Sequence, residues 1–416
     1  MIQLARSHPI TERANELSDQ LKRFRRHIHQ HPELSFQEHD TSSFVEDKLR
    51  EIGGMEVETG IAGTGVVATL SNGEGPTIAV RADMDALPIE EQGSHDYRSQ
   101  NDGVMHACGH DAHTAILLGV AQLLGESFNQ NECKGTVKLL FQPAEEAPDD
   151  NGHTGSSYVV QEGVLDEADA AFALHMCPWR EVGEAQVNDG DSMANIDMFK
   201  GTIRGSGGHG AYPQQCQDPI WMLGPAMQAL YGIISRKLSP LESGVLTIGQ
   251  VHGGTSTNVI PSEVEVEGTL RSYNPEVREF LVDEVEKAFS IVESLGGEAD
   301  VEITHGEPAL KNNPQVNTWL KQTMEELYPS FQVYEGPFGL GGEDFSIVTK
   351  EMPGVMFFLG CKSSDDQQRD LHTPEFDIDE ACLPYGAAIL AETALRYLSG
   401  RYKLEDQNQE VTTSDA

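Results

Sequence analysis

The sequence predicts an α/β fold, a mostly parallel sheet flanked by helices, carrying an inserted β-α-β-β-α-β domain. Three observations predict it. Short apolar segments alternate with helical periodicities in the first and last parts of the chain. Polar residues cluster directly after several of those apolar segments, as they do at the carboxyl ends of strands in open α/β sheets. Between residues 188 and 305 the order of elements changes character.

Leu17, Leu21, Phe24 and Ile28 recur at spacings of four, three and four, which places them on one helix face, and His31-Pro32 ends that helix. A second helix is expected from about Ser42 to Ile52, closed by Gly53-Gly54. Strands are expected over 65–70, 77–82, 136–141, 168–174 and 355–359. Helical patterns lie between them, notably 111–124, where Ile116, Leu117, Val120, Leu123 and Leu124 are apolar, and 379–398 near the end. Within 188–305 the expected order is a strand over 196–204, a helix over 219–236, strands over 245–251 and 264–270, a helix over 275–295 and a strand over 299–304. That order is the ferredoxin-like unit. The expected division is therefore a discontinuous domain over 1–187 and 306–403, an inserted domain over 188–305, and a polar, disordered tail over 404–416.

Bulk composition bounds the function. The chain has 416 residues, enough for two domains, and its 67 acidic against 28 basic residues give a formal net charge of −39. Such a field repels nucleic acid and anionic membrane surfaces, so neither is an expected partner. No apolar run approaches the roughly 18 residues of a spanning helix. The first thirty residues hold no apolar stretch of the signal-peptide kind. Six cysteines (108, 133, 177, 216, 361 and 382) are scattered without CxxC spacing, which argues against a disulfide framework and for a reducing cytoplasm.

The chemistry sits at the strand ends. The strand over 77–82 runs into Asp83-Met84-Asp85, that over 136–141 into Gln142-Pro143-Ala144-Glu145-Glu146, and that over 168–174 into His175. His106-Ala107-Cys108-Gly109-His110-Asp111-Ala112-His113 precedes and opens a helix. Each segment alone reads as a solvated loop. Together they offer thiolate, imidazole and carboxylate, the donors a borderline divalent metal takes. Cys108 by itself is an ordinary small buried residue. The two-residue step to His110 across a glycine lets the backbone aim both side chains at one point. Adjacent Glu145 and Glu146 can be a plain surface pair, or one can bind metal while the other serves as a base. His175 can be a packed strand-end histidine and His372 an ordinary loop residue.

Residues 81–88, 105–115, 142–146, 174–175, 254–261, 341–346 and 372–376 resemble the aminoacylase and carboxypeptidase type of dinuclear metallopeptidases, and within it the amidohydrolase branch of hippurate, N-acyl-amino-acid and auxin-conjugate hydrolases. The resemblance spans about Leu17 to Leu398. It implies that Cys108, His110, Glu146, His175 and His372 hold two divalent ions, with the Cys108 thiolate between them. Manganese or zinc come first for such donors, and nickel or cobalt also suit them. It further implies Glu145 as general base, Asp85 as the carboxylate that orients a ligand histidine, and His209 as an oxyanion donor. Asn258 and Arg271 are implied partners of a substrate carboxylate; read without the family, they are a turn residue and a surface charge. A homodimer through the inserted domain is implied as well.

The chain departs from the family pattern after Glu146, where 147–157 is longer and acidic, and after His175, where Met176-Cys177-Pro178-Trp179 follows. Both segments bear on the acyl group accepted. The expected activity is hydrolysis of the amide bond of N-acyl amino acids or related small conjugates. Dipeptidase or carboxypeptidase action is the alternative within the same chemistry, and a non-catalytic, metal-retaining binding protein is the alternative of another class.

Overall fold

The computed structural model describes residues 8–130, 133–363 and 369–405. The expected tail beyond residue 405 lies outside them. Contacts divide the chain into two units. One runs to Gly190 and includes Lys311–Pro337 and the chain from Ile347 on; the other is Asp191–Leu310 with Phe338–Ser346.

The first unit is built on an eight-stranded sheet. Its strands are β1 (Glu56–Ile61), β2 (Gly65–Ser71), β3 (Thr77–Asp83), β4 (Thr136–Gln142), β5 (Ala170–Cys177), β6 (Glu184–Val187), β7 (Gln332–Glu335) and β8 (Gly354–Gly360), in the order β1-β2-β4-β3-β5-β8-β6-β7. The four central strands β4-β3-β5-β8 are mutually parallel, while β1–β2, β2–β4 and β6–β8 are antiparallel. Central β5 and β8 are buried along their whole length, as parallel strands covered on both faces must be. Short β6 and β7 carry too little apolar sequence to register as strands in isolation.

Four helices concern the site: α1 (Pro9–Glu16), α2 (Ser18–Gln30), α3 (His39–Ile52) and α4 (His110–Asn129). Residues Ile116, Leu117, Val120, Leu123 and Leu124 of α4 are buried in the core, and α4 packs against α2 and the helix Leu383–Leu398. A buried ion network locks α2 to the start of α4. Arg25 is fully enclosed and donates to Asp111 at 2.8 Å, Asp377 at 2.9 Å and Glu380 at 3.3 Å. Breaking one partner of such a network leaves a charge buried without compensation, which typically costs about 3–5 kcal/mol.

The second unit follows the strand and helix order read from the sequence. Strands Asn195–Arg204, Gly244–Gly253, Glu263–Ser272 and Glu298–His305 alternate with helices Pro219–Gly232 and Pro275–Ser294. All neighbours in this sheet are antiparallel. The first helix ends in a π-helical turn over Ile233–Lys237 rather than continuing to 236 as α-helix. Its own core centres on Phe199, Leu230, Leu281 and Phe289. No helix among the described residues is long and apolar enough to cross a membrane.

Candidate metal centre

Cys108, His110, Glu145, Glu146, His175 and His372 meet in the first unit. Two donor triads, Cys108–His110–His175 and Cys108–Glu146–His372, share the Cys108 sulfur, each with its donor atoms within 4.8 Å of one another. Cys108 Sγ lies 3.4 Å from His175 Nε2 and 3.3 Å from His372 Nε2. Glu146 Oε1 is 3.4 Å from His372 Nε2 and 3.7 Å from His110 Nε2. Ligands about 2.0–2.3 Å from one ion at tetrahedral angles stand roughly 3.3–3.6 Å apart, so these separations fit shared cations.

Local sequence explains the convergence. Gly109 adopts φ +94°, and a Cβ placed there would come within 2.8 Å of Met176 Cγ, so only glycine allows the turn between Cys108 and His110. Ala144, just before the two glutamates, and His372 also take left-handed φ values of 51° and 59°. Such backbone is costly without glycine and marks a site held by its surroundings. His175 lies inside β5 rather than beyond its end, because the strand continues to Cys177.

A carboxylate cradle orients the donors. Asp85 accepts the backbone N–H of Glu145 at 3.0 Å, that of Glu146 at 2.9 Å and the Ser35 hydroxyl at 2.6 Å. His110 Nδ1 stands 2.9 Å from the Asp85 carbonyl and 3.3 Å from its carboxylate, which leaves Nε2 facing the glutamates. His175 Nδ1 donates to the Met176 carbonyl at 2.8 Å and turns Nε2 toward Cys108. His110 Nε2 and Glu146 Oε1 are both buried and make no hydrogen bond. Orphaned polar atoms of this kind, aimed at a shared point, are what a metal would satisfy.

Electrostatics agree. Burial, then the carboxylates of Glu146 and Glu145, hold the Cys108 thiol well above its ordinary range. A divalent cation among these groups reverses that balance and favours the thiolate. Burial opposes protonation of His110, but Asp83 and Asp85 outweigh it and push its pKa up to about 10. The donor set therefore fits a metal on distance, on orphaned atoms and on charge.

Several supporting residues were not singled out from the sequence. Asp83 accepts from His113 Nδ1 at 2.6 Å and from Arg81 at 2.6 Å, while His113 Nε2 accepts the Met176 N–H. Both nitrogens of His113 are thus used within the protein. Glu38 is buried, accepts the Ala144 N–H at 2.8 Å and lies 2.5 Å from the Thr64 hydroxyl. Nothing in local sequence marks Glu38, since its partners are distant along the chain. The atypical acidic segment after Glu146 is organised by Asp149, which accepts from Asn151 N, His153 N and the Tyr158 hydroxyl.

The other candidate residues lie in the second unit. His209 sits on the two-residue strand Gly208–His209, paired with Val259–Ile260, and is exposed. Its Nδ1 accepts the Ala211 N–H at 3.0 Å. Asn258 is brought beside it, with its carbonyl accepting the Gly210 N–H at 2.9 Å and its Oδ1 accepting the Ser256 hydroxyl at 2.6 Å. Arg271 lies apart from this pair on the strand Glu263–Ser272, where burial lowers its pKa, Glu307 opposes that, and its Nη1 reaches the Leu340 carbonyl.

Comparison with known proteins gives the same chemistry. Residues 79–396 match the peptidase family M20/M25/M40. An N-acetyl-L-cysteine deacetylase of Bacillus subtilis is 39% identical over 414 residues, covering 98% of this chain and 93% of that protein. Thermostable carboxypeptidase 2 of Saccharolobus solfataricus is 38% identical over 388 residues, covering 92% and 96%. The crystal structure of the Bacillus subtilis YXEP protein, a dinuclear metal binding peptidase from the M20 family, superposes with a TM-score of 0.80 at 33% identity, covering 92% of this chain and 99% of that one. With a cysteine-centred donor cluster at the strand ends and relatives matched over nearly their whole length, the chain belongs to peptidase family M20/M25/M40 and is a metal-dependent hydrolase.

Proposed function

We propose that the protein hydrolyses the amide bond of N-acyl amino acids or related small amide conjugates, releasing a carboxylate and a free amino acid. The observation that carries this reading is the pair of donor triads sharing Cys108 beside the additional carboxylate of Glu145. Cys108, His110, Glu146, His175 and His372 would hold two divalent ions, manganese or zinc before nickel or cobalt. When bound, such a pair supplies Lewis acidity and lowers the pKa of water toward neutrality.

Glu145 takes the proton of the attacking water and returns it to the leaving amine. It is suited to this because its backbone is pinned by Asp85 while its Oε2 stands 3.9 Å from His110 Nε2, at the edge of the cluster. Asp85 positions both glutamates and His110. His209 accepts a hydrogen bond at Nδ1, so its ring proton resides on Nε2, where it can donate to an oxyanion. A donor of that kind is worth about 2.7–4 kcal/mol in the transition state. Asn258 has its Oδ1 engaged by Ser256, leaving the amide N–H groups to meet a substrate carboxylate, and Arg271 would add a charged donor.

We take residues 188–305 as the inserted domain and propose that it forms a homodimer. The exposed Ile220, Trp221, Tyr231 and Val259 of this region support an interface. Six cysteines without a disulfide support a reducing cytoplasm. The carboxypeptidase relative, at nearly the same identity as the deacetylase, keeps peptide hydrolysis as the second reading.

The test combines metal content with turnover on N-acetyl, N-benzoyl, indoleacetyl and aminobenzoyl amino acids and on dipeptides. Glu145→Ala is expected to retain its metal and lose about 10²–10⁴-fold in rate, the worth of a positioned base. If Glu145→Ala loses metal while Glu146→Ala retains it, the two roles are reversed. Faster turnover of dipeptides than of every acyl amino acid would favour the peptidase reading.

A further inference from the structure

A second group of imidazoles and a carboxylate lies in the same unit, outside the Cys108 cluster. His29 on α2, with Glu91 and His95 on the segment that follows β3, places three donor atoms within 4.8 Å of one another. His29 Nε2 is 3.4 Å from Glu91 Oε1, and His95 Nε2 is 2.8 Å from that same oxygen.

Each donor is held by something other than its neighbours. His29 is fully buried and its Nδ1 lies 2.8 Å from Asp111 Oδ2, the carboxylate that also accepts from Arg25. That contact fixes Nδ1 on Asp111 and leaves Nε2 facing Glu91, within hydrogen-bond reach of its Oε1. A histidine backed in this way by a carboxylate is the usual outer support of a metal-ligating imidazole. Glu91 is 4% exposed and accepts the Ser99 N–H through Oε2 at 2.6 Å, which leaves Oε1 for the imidazoles. The His95 ring is stacked on Tyr97 at 3.9 Å between centroids, which sets its plane.

Hydrogen bonding accounts for the His29 contact with Glu91 but not for the whole group. His95 Nε2 approaches Glu91 without the direction a hydrogen bond requires, and neither nitrogen of His95 makes one. His106, only 1% exposed, has its ring centroid 6.4 Å from that of His29, and both of its nitrogens also lack a hydrogen bond. Burying imidazole nitrogens unpaired is costly. A cation coordinated by His95 satisfies one of its two nitrogens.

We propose that His29, Glu91 and His95 form a further divalent-cation site. Two imidazoles with one carboxylate suit zinc or cobalt rather than magnesium or calcium. His95, with 12% of its side chain exposed, gives the ion a way in. An ion here ties α2 and the segment carrying Glu91 to Asp111, the residue beside His110 at the start of α4. The site is a structural clamp on the catalytic helix, and none of its donors belongs to the Cys108 cluster.

Cobalt tests it in the full chain, because only the Cys108 cluster offers a thiolate and hence a thiolate-to-cobalt charge-transfer band. Metal-free wild type is titrated with Co²⁺ while bound cobalt and near-ultraviolet absorbance are followed. The expected result is one ion per chain whose uptake leaves the thiolate band unchanged. His95→Asn and the isosteric Glu91→Gln are each expected to bind one ion fewer per chain, keep the thiolate band and unfold at lower temperature. Wild type in which every bound ion alters the thiolate band overturns the proposal, whether or not the variants fold. So does a folded Glu91→Gln with wild-type cobalt content. Absence of the thiolate band altogether would instead count against the Cys108 cluster as a metal centre.

Discussion

Asp85→Asn isolates the cradle beneath the metal centre. The carboxylate receives the Glu145 N–H on Oδ1 at 3.0 Å and the Glu146 N–H on Oδ2 at 2.9 Å, with the Ser35 hydroxyl also on Oδ2. An asparagine keeps one acceptor oxygen and replaces the other with an N–H₂ group. Whichever way the amide turns, one of the two backbone donors faces another donor. Asp85 is 1% exposed, so water cannot repair the loss. Leaving one buried donor unsatisfied costs about 1–3 kcal/mol, and the surviving bonds lose their charge assistance, so the expected destabilisation is roughly 2–4 kcal/mol. Metal affinity should fall about 10–100-fold, as for other residues that orient ligands from behind. Denaturant unfolding at fixed metal concentration and chelator competition read the two effects separately. An Asp85→Asn protein with an unchanged unfolding midpoint and metal affinity within about twofold of wild type, against that expectation, would refute the cradle.

Three further outcomes are expected. Cys108→Ala should lose bound metal and most activity, whereas Cys133→Ala, also buried but outside both donor triads, should keep both; equal metal contents would remove Cys108 from the centre. Gly109→Ala combines a left-handed backbone with a Cβ 2.8 Å from Met176 Cγ, so it should destabilise by roughly 2–5 kcal/mol and weaken metal binding; wild-type unfolding would contradict the required turn. Burial and Asp85 raise the Glu38 pKa from 4.5 to about 7, so the folded state holds its proton more tightly than the unfolded chain. Relative to Glu38→Gln, wild type should therefore lose up to about 3 kcal/mol of stability as pH rises from about 4.5 to 7, and a pH-independent difference would refute the assignment.

The elements with strong periodicity were legible in the amino-acid order. Residues 111–124 were expected to be helical and α4 spans His110–Asn129, because apolar side chains at helical spacing have only one way to face a core. The central strands were legible as unbroken apolar runs, since both faces of a parallel sheet are covered. Edge strands β1 and β7, and the four-residue β6 between β8 and β7, were not, because they pair through backbone and carry little apolar sequence.

The donor types, their strand-end positions and the glycine between Cys108 and His110 are properties of the chain alone, since side-chain chemistry and backbone freedom are local. What only the tertiary structure decided is which distant groups face one another. Glu38 reaches Ala144, Asp85 reaches the two glutamate N–H groups, and His29 meets Glu91 and His95, each across long stretches of sequence. Those pairings arise from the packing of α2, α4 and the strand ends. Periodicity encodes which face of an element is buried, but not which buried polar atom it will meet.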